Sequence, residues 1–133
     1  MSIYVDTSAF IVLSDVADSR NASANQAWSS TIDSGNDVIT SSFVLIECIC
    51  LLHARIGTIA VHKFLDDIIP IVRVIWTDPR VYALGVSALL ASPGKGGPSL
   101  IDCVSFETIR ACGINDVFAY DKHFEGRGYN LVG

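Results

Sequence analysis

A mainly parallel sheet of four to five strands, covered by helices on both faces as a three-layer α/β/α sandwich, is the fold that this sequence predicts. Short β-branched runs alternate with longer helix-like segments along the chain, the pattern of parallel α/β proteins. Glycine, proline and hydroxyl-rich junctions separate them. The chain has 133 residues, half of them apolar, and at that size folding buries roughly two-thirds of the unfolded surface. One domain over residues 1–133 is expected, without disulfides or structural metal.

Residues 3–5, Ile-Tyr-Val, read as the first strand, and Asp6-Thr7-Ser8 caps a helix over 9–13. Residues 21–32 carry Ala, Gln and Trp28 at helical spacing and stop at Ser34-Gly35-Asn36, a turn before a short strand at 38–39. Thr40-Ser41-Ser42 supplies hydroxyl caps for a helix over 43–56. Gly57 closes it, Thr58 caps a further helix to about residue 69, and Pro70 leads into the β-branched third strand at 71–75. Asp78-Pro79 joins a cap to a proline in the first helical position and opens a helix to residue 90. Residues 92–98, SPGKGGP, form the low-complexity loop before a helix over 99–112. Gly113 ends that helix, 117–119 is the fourth strand, and 129–132 is available as a fifth.

Fourteen Asp and Glu against nine Lys and Arg leave a formal net charge of −5. That balance argues against a general phosphate-backbone binder, which wants a basic face, and leaves open a nucleic-acid enzyme whose acids hold metal ions. The first residues show no basic segment followed by an apolar stretch and cleavage site, so no signal peptide is expected. Apolar runs such as 43–52, which contains Glu47, fall short of the roughly 20 residues of a bilayer span. A soluble, cytoplasmic protein without a membrane partner is the expectation. Cys48, Cys50, Cys103 and Cys112 lie in apolar segments without paired C-x-x-C spacing, and are expected to be free, buried thiols.

A carboxylate in an apolar stretch is expensive unless it has a partner or a metal. Asp6 stands where an apolar strand meets an apolar helix, Glu47 within FVLIECICLL, and Asp102 within LIDCVSF. Their alternatives are a helix cap, a surface glutamate and first-turn complementation of the helix dipole. Asp121 follows the fourth strand as Asp6 follows the first, which puts both on one sheet edge; its alternative is a solvated loop acid beside Lys122. Asp116 precedes the strand and belongs to the opposite end, in a turn. Strand ends on one edge are where such sheets work. Oxygen donors without converging His or Cys suit Mg²⁺ or Mn²⁺. His53, His62 and His123 read as surface or boundary residues, with His123 near the edge of the site, and Arg20, Lys95, Lys122 and Arg127 as scattered solvated charges. Ser8 has no G-x-S-x-G context, and the G-K-G-G segment lacks P-loop spacing.

The stretches VDTSAF, TSSFVLIE, SLIDCVSFETIRACGI and AYDKHFEGRGY, in this order, resemble the PIN domain, and within it the VapC-like toxin ribonucleases. The resemblance covers essentially the whole chain. It implies a metal-dependent endoribonuclease whose acidic quartet falls on Asp6, Glu47, Asp102 and Asp121, with Mg²⁺ or Mn²⁺ as cofactor. It also implies that Thr7 and Ser8 orient metal or phosphate, and that the products carry 5′-phosphate and 3′-hydroxyl ends. RNA is the implied substrate, a second copy of the chain and a protein antitoxin the implied partners. The chain departs from the pattern at Ala119, where relatives commonly carry Thr two residues before the last acid. A PIN nuclease of cellular RNA processing and a non-catalytic PIN-like binding module are the alternatives.

Overall fold

The computed structural model describes residues 1–92 and 94–133; Pro93, within the expected 92–98 loop, lies outside the described residues. Among these residues five strands, β1 Ser2–Val5, β2 Asp37–Ser41, β3 Val72–Ile75, β4 Asp116–Phe118 and β5 Asn130–Val132, form one sheet in the order β3-β2-β1-β4-β5. Every neighbouring pair is parallel. Among the described residues six α-helices, α1 Thr7–Ser14, α2 Asn21–Asp33, α3 Ser42–Arg55, α4 Thr58–Lys63, α5 Pro79–Leu90 and α6 Leu100–Cys112, complete the α/β/α sandwich. Among the described residues no helix is long and apolar enough to cross a membrane.

The central strand explains the placement of the site. On β1, Ile3 pairs with Val38 of β2 on one side and Asp116 of β4 on the other. The chain order therefore switches direction at β1, and a crevice opens beyond the carboxyl ends of β1 and β4. Tyr4, Val5, Val117 and Phe118 are fully buried there. Phe10 of α1 packs edge-on against Phe64 at 5.3 Å and near Trp28 of α2 at 6.2 Å, geometry that adds to simple burial.

The caps form much as their residue types dictate. Asp78 accepts a hydrogen bond from the Val81 N–H at 2.8 Å, with Pro79 opening α5. Gly113 takes the left-handed conformation that ends α6 (φ 64°). Thr58 is not a cap: it is the first residue of α4, which begins after Gly57 without a side-chain cap. Nor does that helix run unbroken to residue 69. Pro70 has no N–H to extend a helical ladder, and the chain passes through a π turn at Phe64–Ile68 and a 3-10 turn at Ile69–Ile71 before β3 starts at Val72. β4 begins one residue earlier than the expected 117–119 and ends at Phe118, with Asp116 registered against Ile3 and Asn130.

All four cysteines are free, but Cys50 and Cys112 are exposed, against the expectation that all are buried. Cys50 shares the outer side of α3 with exposed Ile46 and His53, four residues before it and three after. Cys112 sits in the exposed last turn of α6.

Helices α5 and α6 meet closely at Gly85, where an added Cβ would lie 2.7 Å from Val104 Cγ2 and 3.3 Å from its backbone nitrogen. Val104 is fully buried. Gly85→Val is expected to cost about 3 kcal/mol by overpacking and to lower the melting temperature by roughly ten degrees. Thermal unfolding followed by circular dichroism measures this, and an unchanged midpoint would show that the helices do not approach so closely.

Candidate functional site

The crevice at the switch is a cleft of about 600 Å³ lined by Asp6, Thr7, Ser8, Glu47, Asp102, Asp121 and His123 together with Arg20, Arg55 and Tyr120. All four acids singled out from the sequence therefore reach one cavity. Asp116 lies at the other end of the sheet, where its Oδ1 accepts a hydrogen bond from Asn130 Nδ2 at 2.9 Å.

Asp6 leaves β1 and caps α1. Its backbone N–H donates to the Phe118 carbonyl at 3.0 Å, joining the exits of β1 and β4. Its Oδ2 accepts from Ser8 N at 3.0 Å and from Ser8 Oγ at 2.6 Å. The carboxyl is 2% exposed, and burial pushes its pKa up to about 6 against the pull of the Ser8 hydrogen bonds.

Asp102 is held by a capping box: it accepts from the Ser99 N–H at 3.0 Å, while its own N–H donates to Ser99 Oγ at 3.1 Å. Burial raises its pKa, the Asp121 charge adds to the rise, and the Ser99 N–H opposes it. Asp121 caps the short 3-10 turn Lys122–Phe124 by accepting from the His123 N–H at 2.8 Å. Glu47 lines the cleft from α3 and is half-buried, so the apolar run around it does not enclose it.

Ser8 ties these pieces together. Its hydroxyl donates its one proton to Asp6 and accepts the N–H groups of Tyr120 at 2.9 Å and Asp121 at 3.2 Å. One side chain thus sets an acid after β1 and the backbone of an acid after β4. Both oxygen lone pairs are committed to these bonds, whereas Thr7 Oγ1 is buried without a hydrogen-bond partner. Ala119 has no hydroxyl to contribute to this loop, and Ser8 reaches it from the first strand's side.

His123 joins the site more closely than its sequence context indicated. Its Nδ1 lies 2.8 Å from Asp121 Oδ1 and 3.6 Å from Asp102 Oδ2. Its Nε2 is 3.0 Å from the Gly96 carbonyl oxygen. That carbonyl, then the Asp121 and Asp102 charges, raise the imidazole pKa, while desolvation opposes. Position two residues after Asp121, in D-K-H-F, was the only sequence signal available.

One donor atom from each of Asp102, Asp121 and His123 lies within 4.8 Å of the others, close enough to share one cation. Nδ1 of His123 is buried without a hydrogen-bond partner beside the two carboxylates. Two anionic groups and an unpartnered nitrogen fit a divalent ion. Asp6 and Glu47 line the same cleft outside this trio.

Two arginines also line the cleft. Arg20 forms a two-point pair with Asp18, Nε to Oδ1 at 3.0 Å and a terminal nitrogen to Oδ2 at 2.9 Å, and sits 4.9 Å over the Tyr120 ring. Arg55 lines the cleft from the end of α3. Lys95 and Lys122 are exposed, and Arg127 covers the Phe106 ring at 3.7 Å.

A parallel sheet whose order switches at an acid-lined cleft is the arrangement of a PIN domain, and the chain belongs to the PIN domain family, whose pattern matches residues 3–128. It is 31% identical over 130 residues to the 23S rRNA-specific endonuclease VapC20 of Mycobacterium tuberculosis, covering 96% of this chain and 95% of that protein. The crystal structure of VapC20, described as a Sarcin-Ricin loop cleaving toxin, superposes with a TM-score of 0.86 at 28% identity over 97% of each chain. VapBC2 from Rickettsia felis, bound to a DNA fragment from its promoter, shares the fold with a TM-score of 0.72 at 13% identity, over 98% of this chain and 97% of that one.

Proposed function

We propose that this protein is a metal-dependent endoribonuclease, the toxin of a toxin–antitoxin pair, using Mg²⁺ or Mn²⁺ held among Asp6, Asp102, Asp121 and Glu47. The convergence of all four acids from separate segments on one cleft carries the reading. A divalent ion there supplies positive charge to the scissile phosphate and lowers the pKa of a water. The residues do the rest. Asp6 and Asp102 concentrate negative charge at the buried end of the cleft, Glu47 orients the attacking water, and Thr7 and Ser8 support the site from the start of α1. Arg55 offsets the acidic walls for flanking phosphates, the Arg20 charge being paired with Asp18.

Likeness to VapC20 supports ribosomal RNA as the first substrate to test, and the VapBC2 assembly motivates an antitoxin partner. Exposed apolar residues, Trp76 at 69% and Leu90 at 79%, offer surface to that partner or to a second copy. Purified protein with Mg²⁺ or Mn²⁺ is expected to cut within a panel of ribosomal, transfer and unstructured RNAs, leaving 5′-phosphate and 3′-hydroxyl ends. Ends with 2′,3′-cyclic phosphate would exclude attack by water.

The Ser8 bridge gives a second test. Ser8→Ala removes the hydroxyl bond to Asp6 and strips one acceptor from two N–H groups. Metal affinity is expected to fall ten- to a hundredfold, as when outer-shell partners are lost, measured by calorimetry with the same metals. Unchanged affinity would separate Ser8 from the site.

A further inference from the structure

Read from the sequence alone, the donors in this cleft are all oxygens. The geometry changes that set, and we infer that His123 is a nitrogen ligand of the metal centre, giving a mixed oxygen–nitrogen site that favours first-row transition ions over Mg²⁺. This rests on the metal-dependent reading above.

The assignment follows from what each ring nitrogen meets. The Gly96 carbonyl can only accept, so His123 Nε2, 3.0 Å away, carries a hydrogen and donates it. In the neutral ring the lone pair is then on Nδ1. That atom is buried, lacks a hydrogen-bond partner, and lies beside Asp121 and Asp102. Asp121 Oδ1 and Asp102 Oδ2 each accept one backbone N–H, and the negative charge that remains beside the Nδ1 lone pair is relieved by a shared cation. A ligating imidazole commonly donates its second N–H to a backbone carbonyl, which fixes the ring and its tautomer. His123 and Gly96 have that relation. Two further features hold the ring in place. Its backbone N–H donates to Asp121 Oδ1 at 2.8 Å, and its carbonyl accepts Arg127 Nε at 2.7 Å.

The chemical consequence is selectivity. Mg²⁺ takes oxygen ligands in near-octahedral geometry and keeps several waters. An imidazole nitrogen contributes little to it, and progressively more to Mn²⁺ and Co²⁺ in the order of divalent affinities. Affinity is therefore expected to rise from Mg²⁺ through Mn²⁺ to Co²⁺, with Mn²⁺ bound at least about tenfold more tightly than Mg²⁺.

The test uses the full chain stripped of metal. Mn²⁺-loaded wild type is expected to show coupling to a directly bound ¹⁴N nucleus in pulsed electron paramagnetic resonance. That coupling disappears in His123→Ala and persists in His53→Ala and His62→Ala, whose histidines are exposed and do not line the cleft. By calorimetry His123→Ala lowers Mn²⁺ affinity tenfold or more and Mg²⁺ affinity less than twofold, so the preference collapses. Bound Mn²⁺ without nitrogen coupling overturns the assignment, as does coupling that survives His123→Ala. The wild-type spectrum decides even if the variant does not fold. If wild type binds none of the three ions, the metal-dependent reading itself falls; binding without nitrogen coupling removes only the histidine.

Discussion

Asp6→Asn is expected to lower RNA cleavage about a thousandfold, the equivalent of roughly 4 kcal/mol of transition-state stabilisation, while making the metal-free protein more stable at neutral pH. The two effects have one origin. Burial raises the folded-state pKa of Asp6 from 3.8 to about 6, so folding takes up a proton between those values. The carboxyl's contribution to stability is complete below about pH 4 and is lost as pH rises through about 6. Above that, the metal-free fold keeps a buried charge at a cost of about 3 kcal/mol. Asparagine removes the charge, and its Oδ1 still accepts the Ser8 N–H that Asp6 accepts. Denaturant unfolding at pH 7.5 and pH 5 measures the result: wild type gains stability on acidification relative to Asp6→Asn, which starts higher at pH 7.5. A variant that is inactive and less stable at both values would mean that the negative charge of Asp6 is structural.

Metal removal should have an effect of similar size. EDTA is expected to reduce cleavage to background, and excess Mn²⁺ or Mg²⁺ to restore it. The same ions should raise thermal stability, because a ligand that binds only the folded state adds about 2.7 kcal/mol at a hundred times its dissociation constant. The increment is expected to depend on Asp102 and Asp121, whose carboxylate oxygens lie together with His123 Nδ1. Asp102→Asn and Asp121→Asn should each reduce the melting shift on addition of Mn²⁺. Asp102→Asn is informative in a further respect, because asparagine still accepts the Ser99 N–H of the capping box, so the helix start is kept while the charge is removed.

Much of this molecule was legible in its residues, and for local reasons. Strand–helix junctions announce themselves where β-branched runs meet Asp, Ser or Thr, as at Asp6, Ser41 and Asp78, whose side chains accept the expected backbone N–H groups. Burial cost singled out Asp6, Glu47 and Asp102, and position after or before the fourth strand placed Asp121 and Asp116 at opposite ends of the sheet. For Asp6 and Asp102 the choice between a role at the helix start and a role in the site was a false one, since Asp6 caps α1, Asp102 closes the capping box of α6, and both line the cleft. What stayed hidden depends on segments distant in the chain. Neither the His123–Gly96 contact nor the Ser8 bridge to Tyr120 and Asp121 leaves a spacing that a local pattern can show. The exposed cysteines and the half-buried Glu47 share another cause: in helices this apolar, hydrophobicity alone does not tell the inner side from the outer.

The pairing of β1 with β4 has a consequence for biosynthesis. Strands from the two ends of the chain lie side by side, and Asp6 N is bonded to the Phe118 carbonyl. A ribosome-bound chain that has emerged only as far as α5 carries Asp6 and Glu47 but neither Asp102 nor Asp121, so no product of that length holds an assembled site. Such non-local closure is slow compared with helix formation. The interval between synthesis and an assembled cleft is accordingly set by the docking of the last third of the chain.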